Sequence, residues 1–126
     1  TSTTINVTGP GRVIVRGQAW VRLKHVTGTE DFLSMNVSET ATAECYWSTG
    51  SAPIASYFGS GVYSILASAA TSTLPVNVTV PVARTYTVTA AGSKTYHLVG
   101  RMVTGGPATP DDEWYFGHLT AEFIPD

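Results

Sequence analysis

The stretch Trp114-Tyr-Phe-Gly-His-Leu-Thr-Ala-Glu-Phe-Ile-Pro-Asp126 is the most informative part of this chain. Its large side chains alternate with a period of two residues, which is the pattern of a β-strand. One face carries Tyr115, Gly117, Leu119, Ala121 and Phe123, and the other carries Trp114, Phe116, His118, Thr120, Glu122 and Ile124. Because both faces hold large apolar groups, we expect a strand that is covered on both sides and held deep inside a sheet.

The same period recurs upstream, most clearly between Gly11 and Leu23. Valines and a leucine fall on one side of this segment, and arginines fall on the other, as in a half-buried strand. Further short strands are predicted at Ile5–Val7, Phe32–Val37, Ala41–Trp47, Val76–Val82, Thr85–Ala90 and Thr95–Val103. Pro81 cannot donate a ladder hydrogen bond, so its strand is predicted to lie at an edge or to end there. Ala91–Lys94 is predicted to be a hairpin-like connection.

These runs predict an all-β chain with about 8–10 short strands and no helix. The expected fold is an antiparallel β-sandwich with jelly-roll topology. An immunoglobulin-like sandwich is the alternative, although such a domain more often shows paired cysteines. Residues 1–126 are expected to form a single domain, the C-terminal head of a longer protein.

Composition limits the partners of the chain. The 126 residues carry a net charge of -2 with only 13% charged residues, so a broad basic surface for nucleic acid is excluded. No apolar run is long enough to span a bilayer, and no membrane insertion is expected. Sparse charge also suggests that another subunit covers part of the surface. The single cysteine, Cys45, cannot form an intrachain disulfide and is expected to be a small buried hydrophobic residue.

The ending Phe116-Gly117-x-Leu119-x-x-x-Phe123-x-Pro125-Asp126 resembles the last strand of the jelly rolls typified by tumour necrosis factor and the globular head of complement subcomponent q. Gly11–Leu23 and Leu74–Leu98 are compatible with the same plan. The resemblance implies a homotrimer at the end of a stalk or fibre. It also implies an extracellular or virion-surface location, as in the tip of a phage fibre or in a secreted bacterial protein.

The alternation gives the trimer an argument of its own. If Tyr115, Leu119 and Phe123 fill the core, the second face of the strand needs other cover, because a contiguous apolar patch normally marks an interface. The residues predicted to form the trimer interface are Trp114, Phe116 and Ile124. The predicted function is therefore non-enzymatic assembly together with recognition of a cell-surface glycan or protein receptor.

Few residues indicate chemistry. His25, His97 and His118 form no closely spaced ligand pair, and His97 and His118 are expected to have hydrogen-bonded structural roles. The alternative is that one histidine, repeated around a three-fold axis, supplies three metal ligands. The acidic run Asp111, Asp112 and Glu113 is expected to be a solvated loop, with calcium binding as the weaker alternative. No nucleophile elbow or phosphate-binding loop is present, so neither catalysis nor a cofactor is expected.

Aromatic residues outside the last strand suggest an alternative function. Trp20, Trp47 and Tyr57 are candidates for stacking against sugar rings, as in a carbohydrate-binding module of a secreted protein. The triplets that begin at Asn6, Asn36 and Asn77 match the N-glycosylation pattern. They matter only if the protein passes through a glycosylating pathway.

Overall fold

The computed structural model describes residues 1–42, 61–103 and 112–126, and this part of the chain is all-β. It contains seven strands and no helix. The strands are β1 (Ser2–Val7), β2 (Gly11–Leu23), β3 (Asp31–Ser38), β4 (Gly61–Ile65), β5 (Val76–Val88), β6 (Gly92–Val103) and β7 (Glu113–Pro125). The predicted all-β class is therefore confirmed.

The strands form two antiparallel sheets that pack face to face as a β-sandwich. One sheet has the order β1-β6-β3-β4, and the other has the order β5-β2-β7. Only the β3–β4 connection stays within one sheet of the described strands, and the other connections cross between sheets. The interleaving keeps strands that are distant in sequence side by side.

The core lies between the sheets and follows the predicted alternation of β2. Val13, Val15 and Val21 are fully buried, whereas Arg12 and Arg16 on the opposite face are exposed. Burying each of these valines contributes about 1.5–3 kcal/mol before entropic costs. Leu33, Met35 and Val37 of β3, together with Tyr96 of β6, supply the opposite side of the core.

Two connections differ from the prediction. The Val-rich and Thr-rich runs around Pro81 form one continuous strand, β5, at the edge of its sheet, where a missing backbone donor is tolerated. Ala91 lies between β5 and β6, which belong to different sheets, so Ala91–Lys94 is not part of a hairpin. A short turn between two strands looks the same in sequence whether they pair or cross over.

The expected position of the last strand deep inside a sheet is wrong. Among the described strands, β7 pairs with β2 on one side only and forms an edge of its sheet. Leu119 is buried and Phe123 packs against the core as expected, and Phe116 and Ile124 on the other face are exposed in the single chain. The chain end is fixed by pairing of Gly11 with Pro125 and by a hydrogen bond from the Asp126 amide to the Pro10 carbonyl.

Tyr96 is fully buried in the core, yet its hydroxyl has no hydrogen-bond partner in the described part of the chain. Its ring packs against Tyr86 with 4.7 Å between the ring centroids, and the Tyr86 hydroxyl donates to the Val37 carbonyl. Burial raises the pKa of both hydroxyls. Tyr96 therefore contributes packing while its polar atom opposes folding.

We expect Tyr96→Phe to leave stability unchanged or to raise the free energy of unfolding by about 1 kcal/mol, because it removes an unpaired buried hydroxyl. The raised pKa means that the folded state keeps the proton to higher pH than the unfolded state does. The parent should therefore lose stability as the pH rises above about 10, and the variant should lose less. Urea unfolding at neutral and alkaline pH measures both effects. A loss of 1 kcal/mol or more at neutral pH would indicate that the hydroxyl is bonded.

Candidate interaction surface

The outward-facing side of the β5-β2-β7 sheet, called the outer face below, carries several large exposed aromatic groups. Registered rows run across it, with Trp20 between Thr79 and Phe116 and with Gln18 between Pro81 and His118. The indole of Trp20 and the ring of Phe116 meet edge to face, with 6.3 Å between their centroids. This geometry is favourable for aromatic pairs and adds about 0.5–1.5 kcal/mol to burial alone.

A β-bulge changes the predicted faces at the start of β7. Phe116 pairs with Trp20 but Trp114 pairs with Val21, so Tyr115 is the extra residue. Tyr115 consequently lies on the outer face, where its hydroxyl accepts a hydrogen bond of 2.8 Å from the Arg22 guanidinium. The expectation that Tyr115 fills the core is wrong, because one inserted residue reverses the alternation on its N-terminal side.

Trp114 is turned toward the opposite sheet by the same bulge. Its indole lies over Gly100 of β6, so closely that a Cβ at Gly100 would come within 2.5 Å of Trp114 Cη2 and 2.9 Å of Cζ2. Trp114, Gly100, Met35 and Leu98 help to line a cavity of about 280 Å³ between the sheets at the β7 edge. The proposed interface residues Trp114, Phe116 and Ile124 thus do not share one face.

Trp20, Tyr115 and Phe116 remain on the outer face and are called the aromatic cluster below. Their exposed fractions are 49%, 50% and 55%, which is high for side chains of this size. Beside them is a shallow depression of about 270 Å³, lined by Gln18, Ala19, Trp20, Thr79 and Phe116. The cluster was only partly predictable, because pairing of Trp20 with Phe116 depends on the register between distant strands.

Charges on the outer face are arranged in two columns. Arg12, Arg16 and Arg22 lie on β2, and Glu113 and Glu122 lie on the neighbouring β7. Arg16 and Glu122 form an exposed ion pair of 3.3 Å. β5 contributes mainly uncharged residues to this face, including Asn77, Thr79 and Pro81. The face therefore combines an aromatic centre with a basic column beside an acidic one.

A second polar site lies at one end of the sandwich and is buried. His25 Nδ1 lies 2.8 Å from Asp31 Oδ2, and His25 Nε2 lies 3.2 Å from the Ala69 carbonyl oxygen. The Ala69 carbonyl also accepts a hydrogen bond from the Thr27 hydroxyl, and the His25 carbonyl accepts one from the Ser72 amide. The histidine thus joins the segment after β2 to the segment after β4.

The three histidines lie in different environments. His118 is exposed on the outer face and His97 is half-buried, whereas the buried histidine with a clear structural role is His25. The sequence signal was a histidine and an aspartate on either side of a Thr-Gly turn, but nothing in it pointed to Ala69. Both ring nitrogens of His25 contact protein atoms. The side chain therefore holds these segments together and leaves neither nitrogen open to solvent.

Several candidate residues lie outside the described part of the chain, namely Trp47, Tyr57, Cys45 and Asp111. In the acidic run, the Asp112 carboxylate accepts a hydrogen bond from the Lys24 amide, and Glu113 begins β7. No cluster of three or more histidine, cysteine, aspartate or glutamate residues suited to a metal occurs in the described ranges. Among the glycosylation triplets, Asn6 and Asn77 are exposed, and the Asn36 side chain accepts a hydrogen bond from the Val37 amide.

In residues 1–42, 61–103 and 112–126 there is no helix with the length and apolarity required to cross a bilayer. No protein-family model, no curated protein and no solved structure matches the chain.

Proposed function

We propose that this chain is a non-enzymatic jelly-roll head domain that assembles as a homotrimer through its outer face. The trimer presents its remaining surface to a cell-surface glycan or protein receptor, in the extracellular space or on a virion. The aromatic cluster carries the proposal, because three large rings are about half exposed on one sheet face. Exposed aromatic groups in a contiguous patch mark protein interfaces more often than free surface.

The composition of the outer face favours a second copy of the chain as the occupant. Tryptophan, tyrosine, phenylalanine and arginine are the side chains enriched at interface centres, and all four types occur together here. The basic column of β2 and the acidic column of β7 make the face electrostatically complementary to a rotated copy of itself. Each contact around a three-fold axis joins one patch of a chain to a different patch of the next chain. The basic column of one copy can therefore meet the acidic column of the next.

Support for the jelly-roll topology comes from the strand order. The two sheets interleave along the chain, because nearly every connection between described strands crosses from one sheet to the other. Double-sheet jelly rolls are built from such interleaved antiparallel strands. The resemblance of the final strand to the tumour necrosis factor and complement-head jelly rolls points the same way.

The buried His25–Asp31 pair supports a non-enzymatic role. Both ring nitrogens of His25 are engaged inside the protein, and the side chain is fully buried. A general base needs an accessible nitrogen within hydrogen-bond reach of its substrate. The geometry therefore fits a structural tie between two segments.

The trimer is tested by placing a charge beside the aromatic cluster. We expect Thr79→Arg, in the depression next to Trp20, to weaken association about 30-fold or more, because it buries an unpaired cation at an interface centre. Ser64→Arg is the matched control, since Ser64 is exposed on β4 of the other sheet. Light scattering at micromolar concentration should detect the trimer in the parent and in the control, and the trimer should be lost in Thr79→Arg. A parent chain that is monomeric under these conditions would contradict the proposal.

A carbohydrate-binding module is the second candidate, and one observation favours it. Trp20 borders the depression beside Gln18 and Thr79, so an aromatic face and hydrogen-bonding side chains lie together. A monomeric parent that binds members of a glycan panel, and loses binding in Trp20→Ala, would select this function over the trimer.

A further inference from the structure

The free edge of β7 is a second surface, separate from the outer face. β7 is 13 residues long and, in the described part of the chain, has a strand partner on one side only. Long edge strands are usually protected by lysine, proline, bulges or a covering segment, because their backbone groups pair readily with another chain. Here the bulge lies at Tyr115 and the proline at Pro125, so the stretch between them lacks both of these protections.

One hydrogen bond shows which backbone groups point outward. The Thr1 hydroxyl donates to the Gly117 carbonyl at 3.2 Å from outside the β5-β2-β7 sheet. The Gly117 carbonyl therefore points away from β2. Because backbone groups alternate in direction along a strand, those of Leu119, Ala121 and Phe123 point outward as well.

We propose that the β7 edge pairs with the β7 edge of a second copy, antiparallel and centred on Thr120. In this register Gly117 lies opposite Phe123 of the other copy, and Leu119 lies opposite Ala121. All four of these residues direct their backbone groups outward, so each opposing pair exchanges two hydrogen bonds. The pairing thus gives about eight backbone hydrogen bonds across a two-fold axis.

The side chains are self-complementary in this register. On the outer face, Phe116 lies opposite Ile124 of the other copy, which is an apolar pair. His118 lies opposite Glu122, so a ring N–H can donate to a carboxylate. Thr120 lies opposite its own copy.

The core-facing side is also complementary. Small Gly117 opposes large Phe123, and Leu119 opposes Ala121. Shifting the register by two residues would place Glu122 opposite Thr120 and leave His118 without the carboxylate. Cross-strand pairs of these kinds each contribute about 0.2–1 kcal/mol, so the register centred on Thr120 is favoured.

The edge contact goes beyond the proposed trimer and does not depend on it. It uses the backbone of β7, whereas the trimer uses side chains of the outer face. The two can be separated by studying the edge in the Thr79→Arg variant, in which the face contact is disrupted. The Thr1 hydroxyl must leave the Gly117 carbonyl when the second copy binds.

Cysteine cross-linking tests the register. Opposed residues in a non-hydrogen-bonded antiparallel pair have Cα atoms about 4.5 Å apart, within the range that a disulfide spans. In the Thr79→Arg background, we expect Thr120→Cys to form a covalent dimer on mild oxidation, with a 120–120 disulfide identified by mass spectrometry. Thr85→Cys is the matched control, because Thr85 is an exposed threonine on the far strand of the same sheet. The Thr79→Arg parent is a second control, because it measures any cross-linking that occurs through Cys45. A Thr120→Cys dimer yield no higher than in these two controls would overturn the proposal.

Charge exchange provides a second, non-covalent test. Thr120→Lys places two ammonium groups opposite each other, and Thr120→Asp places two carboxylates there, so each variant alone should dimerise at least tenfold more weakly. Mixing the two should restore the dimer, because the pair then has opposite charges. Thr120 is exposed, so both variants should keep the thermal unfolding midpoint of the parent within a few degrees. Unchanged dimerisation of the separate variants would contradict the edge contact.

Discussion

His25→Ala is expected to lower the free energy of unfolding by about 3–5 kcal/mol, the cost of removing one partner of a buried polar pair. Asp31 is 2% exposed, and its Oδ2 atom lies 2.8 Å from His25 Nδ1. The substitution leaves the Asp31 carboxyl group buried without its imidazole partner, and the Ala69 carbonyl keeps only its hydrogen bond from the Thr27 hydroxyl among the contacts described above. Because a domain of ordinary size has only about 5–15 kcal/mol of stability, the variant should be close to unfolded at 37 °C.

An exposed pair in the same protein supplies the control. Arg16 and Glu122 lie 3.3 Å apart, but their side chains are 60% and 62% exposed. Glu122→Ala should therefore cost less than about 1 kcal/mol. Urea unfolding of both variants compares the buried His25–Asp31 contact with the exposed Arg16–Glu122 ion pair. Equal losses would show that His25 does not owe its importance to its buried contacts.

A double-mutant cycle locates the effect of His25. Asp31→Asn keeps the shape of the side chain but removes its charge, and it should cost less than His25→Ala because an amide can still bond the imidazole. In the double variant His25→Ala with Asp31→Asn, the loss should be smaller than the sum of the two single losses, since both remove the same interaction. Additive losses would separate the roles of the two residues.

Elements with strong alternation were predictable from the sequence. β2 is identified by valines on one side and arginines on the other, and its observed burial follows that pattern. The β5 edge position was predictable from Pro81, because proline lacks the donor that a central strand needs. Both predictions rest on properties of single residues or neighbours, which the sequence states directly.

The missed features depend on contacts between distant segments. The bulge at Tyr115 is set by the register between β7 and β2, and it exchanged the expected directions of Trp114 and Tyr115. The binding of His25 to the Ala69 carbonyl joins residues 44 positions apart. Placement of β7 at an edge likewise depends on which strands pair. An apolar strand reads the same whether a second sheet or another molecule covers it.

Gly11 occupies the tightest glycine position at the β2–β7 junction. A Cβ added there would lie 2.7 Å from Phe123 Cε2 and 2.9 Å from Pro125 Cα, and it would also collide with the Ile124 carbonyl oxygen. Two of these three neighbours are backbone atoms of β7, which can move only if the ladder moves. The φ angle of 158° is close to fully extended, so the demand for glycine comes from the lack of space.

Gly11→Ala is therefore expected to lower the free energy of unfolding by about 3 kcal/mol or more, at the upper end of overpacking costs. Two other glycines separate the possible causes. Gly28 has a φ of 97° with no atom within 4 Å of an added Cβ, so Gly28→Ala should cost about 1–2 kcal/mol from backbone conformation alone. Gly9 also has open space and no such φ, so Gly9→Ala should change stability by less than about 0.5 kcal/mol. Chemical denaturation of the series should rank the losses Gly11 above Gly28 above Gly9. A Gly11→Ala protein as stable as Gly9→Ala would mean that β7 does not pack against Gly11, and that the chain end is anchored elsewhere.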